Sequence, residues 1–259
     1  MNSIDVVDPD CPQCHGRIQI GDRFCGVCGQ EIFGKLQAST ADHNEDIFEI
    51  LQPTLAYYGI TLILLATYKL TSAFPQGLEG MVAITVIDTT IVLIFWLLFY
   101  RQLLPLFSLK DVKSGLLLVT VISAIAGSVV VSVVADFINI TISDDVFYST
   151  YLFEDTRYPL LFAVLFIAVH PAIFEEVAFR GFLFNNVSRV TTARGAICVT
   201  GFVFGIIHLS VISLLWLVPI GLIFAWLRWK YNTLWYGIVG HFVYNFCITM
   251  MDYYGWTVF

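Results

Sequence analysis

A series of apolar runs, most of them about twenty residues long, occupies the chain from about residue 53 onward. A helix that crosses the hydrocarbon core of a bilayer needs about 20 mostly apolar residues, because each residue adds about 1.5 Å of length. Of the 259 residues, 58% are hydrophobic and only 13% are charged, whereas soluble domains carry about 25% charged residues. The sequence therefore predicts an all-α polytopic membrane helix bundle.

These runs predict about seven transmembrane helices, given the length that a crossing needs. Their predicted limits are 54–74, 81–104, 115–138, 159–180, 195–209, 211–228 and 232–251. The fifth and sixth are short and are separated only by a brief turn near Ser210. The first 50 residues carry charges and cysteines, so they do not read as a secretory signal peptide.

Loop charges predict how these helices are oriented, because cytoplasmic loops carry an excess of Lys and Arg. Every second loop is basic, and these loops contain Arg101, Lys110, Lys113, Arg189, Arg194, Arg228 and Lys230. The third connection is acidic and contains Asp136, Asp144, Asp145, Glu154 and Asp155 beside Arg157. We therefore expect a multi-pass integral membrane protein with a cytoplasmic amino terminus. The net charge of −7 gives no indication of nucleic-acid binding.

Four cysteines near the amino terminus form a C-x2-C-x10-C-x2-C pattern: Cys11, Cys14, Cys25 and Cys28. Two such knuckles let four thiolates converge on one Zn²⁺ with tetrahedral geometry. Two disulfides or a rubredoxin-type iron site would use the same residues, but cytoplasmic thiols stay reduced, which favours zinc. We predict a structural zinc ribbon with a short disordered start at 1–33, a polar linker at 34–52 and a membrane domain at 53–259.

Ionisable and amide side chains lie inside three of the apolar runs, where their burial is costly and indicates a function. They are Glu175, Glu176, Arg180, His208, His241 and Asn245. Glu176 and Arg180 are four residues apart and can pair on one helix face, whereas Glu175 is rotated from Glu176 by about 100°. His208 follows Phe204 by four residues, and Asn245 follows His241 by four. Three helices could thus present these side chains around one pocket.

The residue types suit the activation of water. A glutamate in a low-dielectric site can take a proton from water at neutral pH, and histidine and asparagine can hold the oxyanion that forms on a carbonyl. No serine or cysteine is obviously paired with a base, and the HExxH metalloprotease signature is absent from the sequence. The residues predict a glutamate-activated water that hydrolyses an amide inside the membrane.

Three motifs in this region, taken in order, resemble those of the CPBP intramembrane protease family. They are Glu175-Glu-Val-Ala-Phe-Arg180, Phe204-x3-His208 and His241-x3-Asn245. That family includes type II CAAX prenyl endopeptidases and proteins linked to bacteriocin processing or self-immunity. The resemblance covers about residues 155–250, which we predict to be the catalytic core.

The resemblance also implies a role for each site residue. Glu175 would activate water, with Glu176 as a supporting carboxylate that Arg180 holds. His208 would position the water or a metal. His241 and Asn245 would stabilise the oxyanion. The implied substrate is a membrane-associated peptide or protein, prenylated or not, and the implied location is a prokaryotic plasma membrane.

The sequence leaves several alternatives open. Two histidines and a glutamate are an adequate zinc set, so a catalytic metal is neither required nor excluded. A transporter could use the same polar residues as an ion or proton relay. A catalytically silent scaffold or immunity protein could use the ribbon as a binding module. His170-Pro171 is interpreted as a helix kink. Asp88 is an isolated charge in the second predicted span, and it indicates either a side chain that faces the bundle or a helix boundary that lies a few residues away from the predicted one.

Overall fold

The computed structural model describes residues 10–16, 18, 24–28, 30, 47–75, 77–110, 112–142 and 149–256. The predicted disordered start, most of the predicted linker and the acidic pair Asp144 and Asp145 lie outside these residues. The chain divides into two compact units. The first consists of Met1–Ile60 and Phe179–Asn232, and the second of Thr61–Ala178 and Thr233–Phe259.

Seven longer helices make up most of the described residues, which contain no β-strand. In chain order they are α1 (Ile47–Leu70), α2 (Leu78–Leu98), α3 (Ser114–Ile142), α4 (Pro159–Val190), α5 (Ala193–Ile206), α6 (Leu214–Tyr231) and α7 (Trp235–Tyr253). Helix α4 contains two π-helical stretches, Val164–Val169 and Glu176–Leu183. Shorter helical segments span Tyr100–Leu103, Leu104–Phe107 and Ser149–Phe153. The predicted all-α architecture is confirmed.

Five of these helices are long and apolar enough to cross a membrane, judged by length and composition: α1, α2, α3, α4 and α6. Helix α5 has only 14 residues, fewer than a crossing needs. Helix α7 has 19 residues and is not among the five. It carries His241, Asn245 and Asp252, which lower its hydropathy. Several apolar helices thus identify an integral membrane protein.

Large apolar side chains project outward from α2 and α3, as expected for surfaces that contact lipid. Leu97 is 64% exposed and Val130 is 61% exposed. Soluble proteins rarely expose contiguous apolar surface on this scale. Hydrophobic contact with lipid therefore accounts for these helix faces, and the polar residues of α4 and α7 are the exceptions that need another explanation.

Two predicted helix limits were wrong in ways that matter for the polar residues. The predicted span 159–180 continues to Val190, so Glu175 and Glu176 lie in the middle of α4 rather than near its end. The predicted span 195–209 ends at Ile206, so His208 lies in the turn after α5. Leu209 has a φ of 51°, in the left-handed region, which is incompatible with a continuing helix.

The start of α7 is held by the segment that follows α2. The indole Nε1 of Trp235 donates to the carbonyl oxygen of Phe107 at 2.8 Å. The backbone N–H of Lys113 donates to the hydroxyl of Tyr236 at 2.7 Å, and the Tyr236 side chain is fully buried. These bonds fix the first turn of the helix that carries His241 and Asn245.

Candidate active site

Helices α4 and α7 place one imidazole against two carboxylates. His241 Nδ1 lies 3.2 Å from Glu176 Oε1, and His241 Nε2 lies 3.9 Å from Glu175 Oε2. The Glu176 side chain is fully buried, whereas that of Glu175 is 27% exposed. The two adjacent glutamates therefore contact opposite nitrogens of the same ring from different environments.

The hydrogen bond to Glu176 determines the protonation of the His241 ring. With Glu176 as a carboxylate, which can only accept, Nδ1 is the ring nitrogen that carries the hydrogen. In the neutral ring, Nε2 then keeps its lone pair and faces Glu175. A separation of 3.9 Å is too long for a direct hydrogen bond and can be bridged by a group the size of a water molecule.

Gly237 lets the Glu176 carboxylate approach the backbone of α7. A Cβ at this position would overlap Glu176 Oε2 and would lie 2.9 Å from Glu176 Cδ. Gly237 precedes His241 by four residues, so it occupies the same face of α7 one turn earlier. The absence of a side chain there is what allows Glu176 to reach the His241 ring.

Asn245 is bound to the backbone of α4. Its Nδ2 donates to the carbonyl oxygen of Ile167 at 3.0 Å. An amide nitrogen carries two hydrogens, so one donor of Asn245 is used in this contact. Asn245, His241, Glu175 and Glu176 all belong to the second unit. The structure brings His241 against the two glutamates, whereas Asn245 contacts α4 at Ile167.

His208 and Arg180 belong to the first unit. His208 Nδ1 lies 2.7 Å from the carbonyl oxygen of Phe204, to which it donates, so the neutral ring keeps its lone pair on Nε2. The predicted helix-face relation of Phe204 and His208 thus persists as a contact although the helix ends before His208. A pocket that His208 shares with Glu175 stays a prediction.

Arg180 is fully buried among aromatic rings. Its guanidinium carbon lies 4.3 Å from the centre of the Phe204 ring and 5.4 Å from that of Phe224. Its Nη2 donates to the carbonyl oxygen of Gly221 at 3.3 Å. Cation–π contacts of this kind stabilise a guanidinium that is removed from water. The proposed pairing of Arg180 with Glu176 stays a prediction, and the π-helical turn between them differs from the α-helical geometry on which it was based.

Arg228 has a role that the sequence did not reveal, because we counted it among the loop charges. It lies in the last turn of α6 and is only 5% exposed. Its three nitrogens donate to the carbonyl oxygen of Arg180 at 3.1 Å and to the amide oxygens of Asn185 and Asn232 at 2.7 Å each. The four-residue spacing of Arg228 and Asn232 was the only local signal. Arg228 thereby holds the carboxyl-terminal part of α4 against α6.

Comparison with known families assigns the region that contains these residues. Residues 157–247 match the family model described as Type II CAAX prenyl endopeptidase Rce1-like. These residues are therefore similar to an Rce1-like domain, by which name the region is called below. The match covers about a third of the chain and includes every polar residue from Glu175 to Asn245. Comparisons with curated proteins and with solved structures gave no match. The resemblance to the CPBP family is confirmed, and at the family level it supports an intramembrane peptidase of the CAAX-protease type.

A second candidate site lies outside the Rce1-like domain, in the cysteine knuckles. The Sγ atoms of Cys11 and Cys28 are 3.7 Å apart, those of Cys14 and Cys25 are 3.6 Å apart, and all four lie within 4.8 Å of one another. Four thiolates bound tetrahedrally at about 2.3 Å from Zn²⁺ would be about 3.8 Å apart. All four cysteines are free thiols in the structure, and these separations are longer than the S–S bond of about 2.05 Å in a disulfide. The cysteines therefore suit a metal ion.

Burial and backbone hydrogen bonds shift the pKa values of these thiols in opposite directions. Burial raises the pKa of Cys25 and of Cys28. Burial acts in the same direction on Cys11, but the backbone N–H groups of Gln13 and Cys14 outweigh it and lower the pKa of Cys11 to about 7. Metal ions bind thiolates and displace protons, so occupancy of this site must depend on pH.

Proposed function

We propose that the Rce1-like domain is an intramembrane endopeptidase in which Glu175 activates a water molecule for attack on a peptide bond. The observation that carries this proposal is the placement of His241, with Nδ1 at 3.2 Å from Glu176 and Nε2 at 3.9 Å from Glu175. The half-buried Glu175 can contact water and substrate, whereas the buried Glu176 contacts His241. The two glutamates thus do different work.

The proposed reaction needs no covalent enzyme intermediate. Glu175 takes a proton from water, and the resulting hydroxide attacks the carbonyl carbon of the substrate. The carbonyl oxygen becomes an oxyanion, which is stabilised by the second N–H of Asn245 and by the His241 ring when that ring is protonated at Nε2. Collapse of this intermediate breaks the C–N bond, and the proton held by Glu175 passes to the leaving amine.

Each remaining polar residue has a supporting role in this proposal. Glu176 orients the His241 ring and stabilises its positive charge when Nε2 is protonated. Arg180 supports Glu176, as the family resemblance implies. His208 positions the attacking water or a metal, in agreement with the lone pair that its hydrogen bond to Phe204 leaves on Nε2.

The substrate class follows from the family and from the apolar surroundings of the site. We propose a membrane-associated peptide or protein, prenylated or unmodified, as substrate. We further propose that the ribbon at 1–33 holds a structural Zn²⁺ on Cys11, Cys14, Cys25 and Cys28, in support of which the sulfur separations match tetrahedral coordination. A cytoplasmic amino terminus in a prokaryotic plasma membrane is compatible with reduced cysteines.

Cleavage by the purified protein in nanodiscs tests this function. The substrates are a farnesylated peptide and the same peptide without the prenyl group. Glu175→Ala should lower the rate by about 10² to 10⁴-fold, the usual contribution of a general base. Glu79→Ala, which removes an exposed glutamate at the start of α2, is the matched control and should retain full activity. Equal cleavage by all three proteins would refute the proposal, and ion flux that survives loss of cleavage would favour a transporter.

A further inference from the structure

Pro171 lies inside α4, four residues after Ile167 and four before Glu175. The π-helical stretch of this part of α4 ends at Val169, and an α-helical stretch begins at His170. In the α-helical register the carbonyl of Ile167 would accept from the backbone N–H of residue 171. Proline has no N–H, so this acceptor loses its usual donor. Within a membrane, helices tolerate proline because neighbouring groups satisfy the acceptor that it releases.

Asn245 supplies that donor. Its Nδ2 lies 3.0 Å from the Ile167 carbonyl oxygen, which is the acceptor that Pro171 releases. The preceding turn is already irregular, since the N–H of His170 bonds to Leu165, five residues back, in a π-helical pattern. The side chain of Asn245 therefore completes the backbone hydrogen bonding of α4 at a point where the sequence prevents α4 from doing so.

His170 fixes the same turn from a second direction. The hydroxyl of Thr89 lies 2.6 Å from the carbonyl oxygen of Thr85 and donates its only hydrogen there. Its oxygen must then accept from His170 Nε2, at 2.7 Å. The turn at Pro171 is thus attached to α2 through His170 and to α7 through Asn245.

We propose that Pro171 is a positioning residue for Asn245: its missing N–H creates the acceptor that fixes the orientation of the Asn245 amide. The two ends of this amide differ chemically, because Nδ2 donates and Oδ1 accepts. Holding one hydrogen of Nδ2 at Ile167 fixes the direction in which the second hydrogen of Nδ2 points. This inference rests on the proposed function for its catalytic consequence, but the link between the two residues can be measured independently of activity.

A double-mutant cycle on thermal unfolding tests the link. Asn245→Ala should lower the midpoint by about 2–5 °C when Pro171 is present, because it removes the donor of a partly buried carbonyl. In the Pro171→Ala background, the new N–H at residue 171 satisfies the same carbonyl, so Asn245→Ala should cost less than half as much. Pro219→Ala, which restores an N–H within α6, is the matched control and should leave the cost of Asn245→Ala unchanged.

A kinetic arm separates positioning from a merely structural role. Pro171→Ala should lower kcat by about 10-fold while KM stays within about twofold, because a misoriented oxyanion donor acts in the transition state. Equal costs of Asn245→Ala in both backgrounds, including failure to fold in both, would overturn the proposal. So would a wild-type kcat in Pro171→Ala. Absence of cleavage by the wild-type protein would instead refute the proposed function, with the unfolding cycle still deciding whether the two residues are linked.

Discussion

Replacing Gly237 by alanine should separate Glu176 from His241 with the smallest possible change. The added Cβ would overlap Glu176 Oε2 and lie 2.9 Å from Glu176 Cδ, whereas carbon atoms in contact are about 3.5–4.0 Å apart. The Glu176 carboxylate must therefore retreat by about 0.6–1 Å, judged against that contact distance. The backbone of α7 cannot yield, because α7 is bound at its first turn through Trp235 and Tyr236.

The expected loss of activity follows from this displacement. A retreat of about 1 Å lengthens the contact between Glu176 and His241 from 3.2 Å to about 4 Å, beyond hydrogen-bond range. Misplacement of a catalytic group by about 1 Å costs about 10²-fold in rate. The net loss in the free energy of unfolding should be about 0–2 kcal/mol, since helix propensity offsets about 1 kcal/mol of an overpacking cost of about 1–3 kcal/mol.

The assay is the initial rate of peptide cleavage in nanodiscs, measured together with the thermal unfolding midpoint. Gly127→Ala in α3 is the matched control, because a Cβ at Gly127 would meet nothing within 4 Å. Glu176→Asp, which shortens the side chain, should lose less activity in the Gly237→Ala background than in the wild type, because the overlap is relieved. A Gly237→Ala protein that cleaves at the wild-type rate would refute the reasoning that Glu176 acts through His241.

Two other predictions concern the buried arginine and the ribbon. Arg228→Lys should lower the free energy of unfolding by about 2–4 kcal/mol, because a lysine ammonium cannot reproduce the planar guanidinium that donates to three acceptors. Thermal unfolding in detergent measures this loss. The exposed Lys230 is the control, and an equal effect of Lys230→Ala would contradict the role of Arg228. The purified protein should contain about one zinc per chain, measured by elemental mass spectrometry, and Cys25→Ser should lose it while Cys198→Ser retains it. Zinc affinity should also weaken as pH falls from about 8 to about 5, because protons compete with the metal for the four thiolates; a zinc affinity that does not change over this range would contradict this.

The sequence predicted the residues of the site better than their contacts. A spacing of four residues could be read directly, so His241 and Asn245 were expected on one face of a helix, and both contact α4 in the structure. The hydrogen bond between Glu176 and His241 could not be predicted from the sequence. It depends on how α4 and α7 pack and on the missing side chain at Gly237. Local periodicity contains neither piece of information.

The ends of the helices were also predicted less well than their positions, because the ends depend on tertiary contacts. Apolar runs predicted where helices lie, but α4 continues past Arg180 to Val190 because its carboxyl-terminal part is bound by a buried Arg228. The pattern of charges in the sequence had led us to predict Arg228 in a loop. The π-helical stretches of α4 also escaped prediction, since a neighbouring side chain such as Asn245 must satisfy the displaced carbonyls.

The measurement that tests the central claim most directly compares single-turnover cleavage by Glu175→Gln and Glu176→Gln. Both variants remove a carboxylate of nearly unchanged size from adjacent positions. If Glu175 activates water, Glu175→Gln should lower the cleavage rate by about 10² to 10⁴-fold. Glu176→Gln should lower it less, since the amide oxygen of glutamine can still accept from His241 Nδ1. Wild-type cleavage by Glu175→Gln, or a larger loss in Glu176→Gln, would contradict the assignment of the two glutamates.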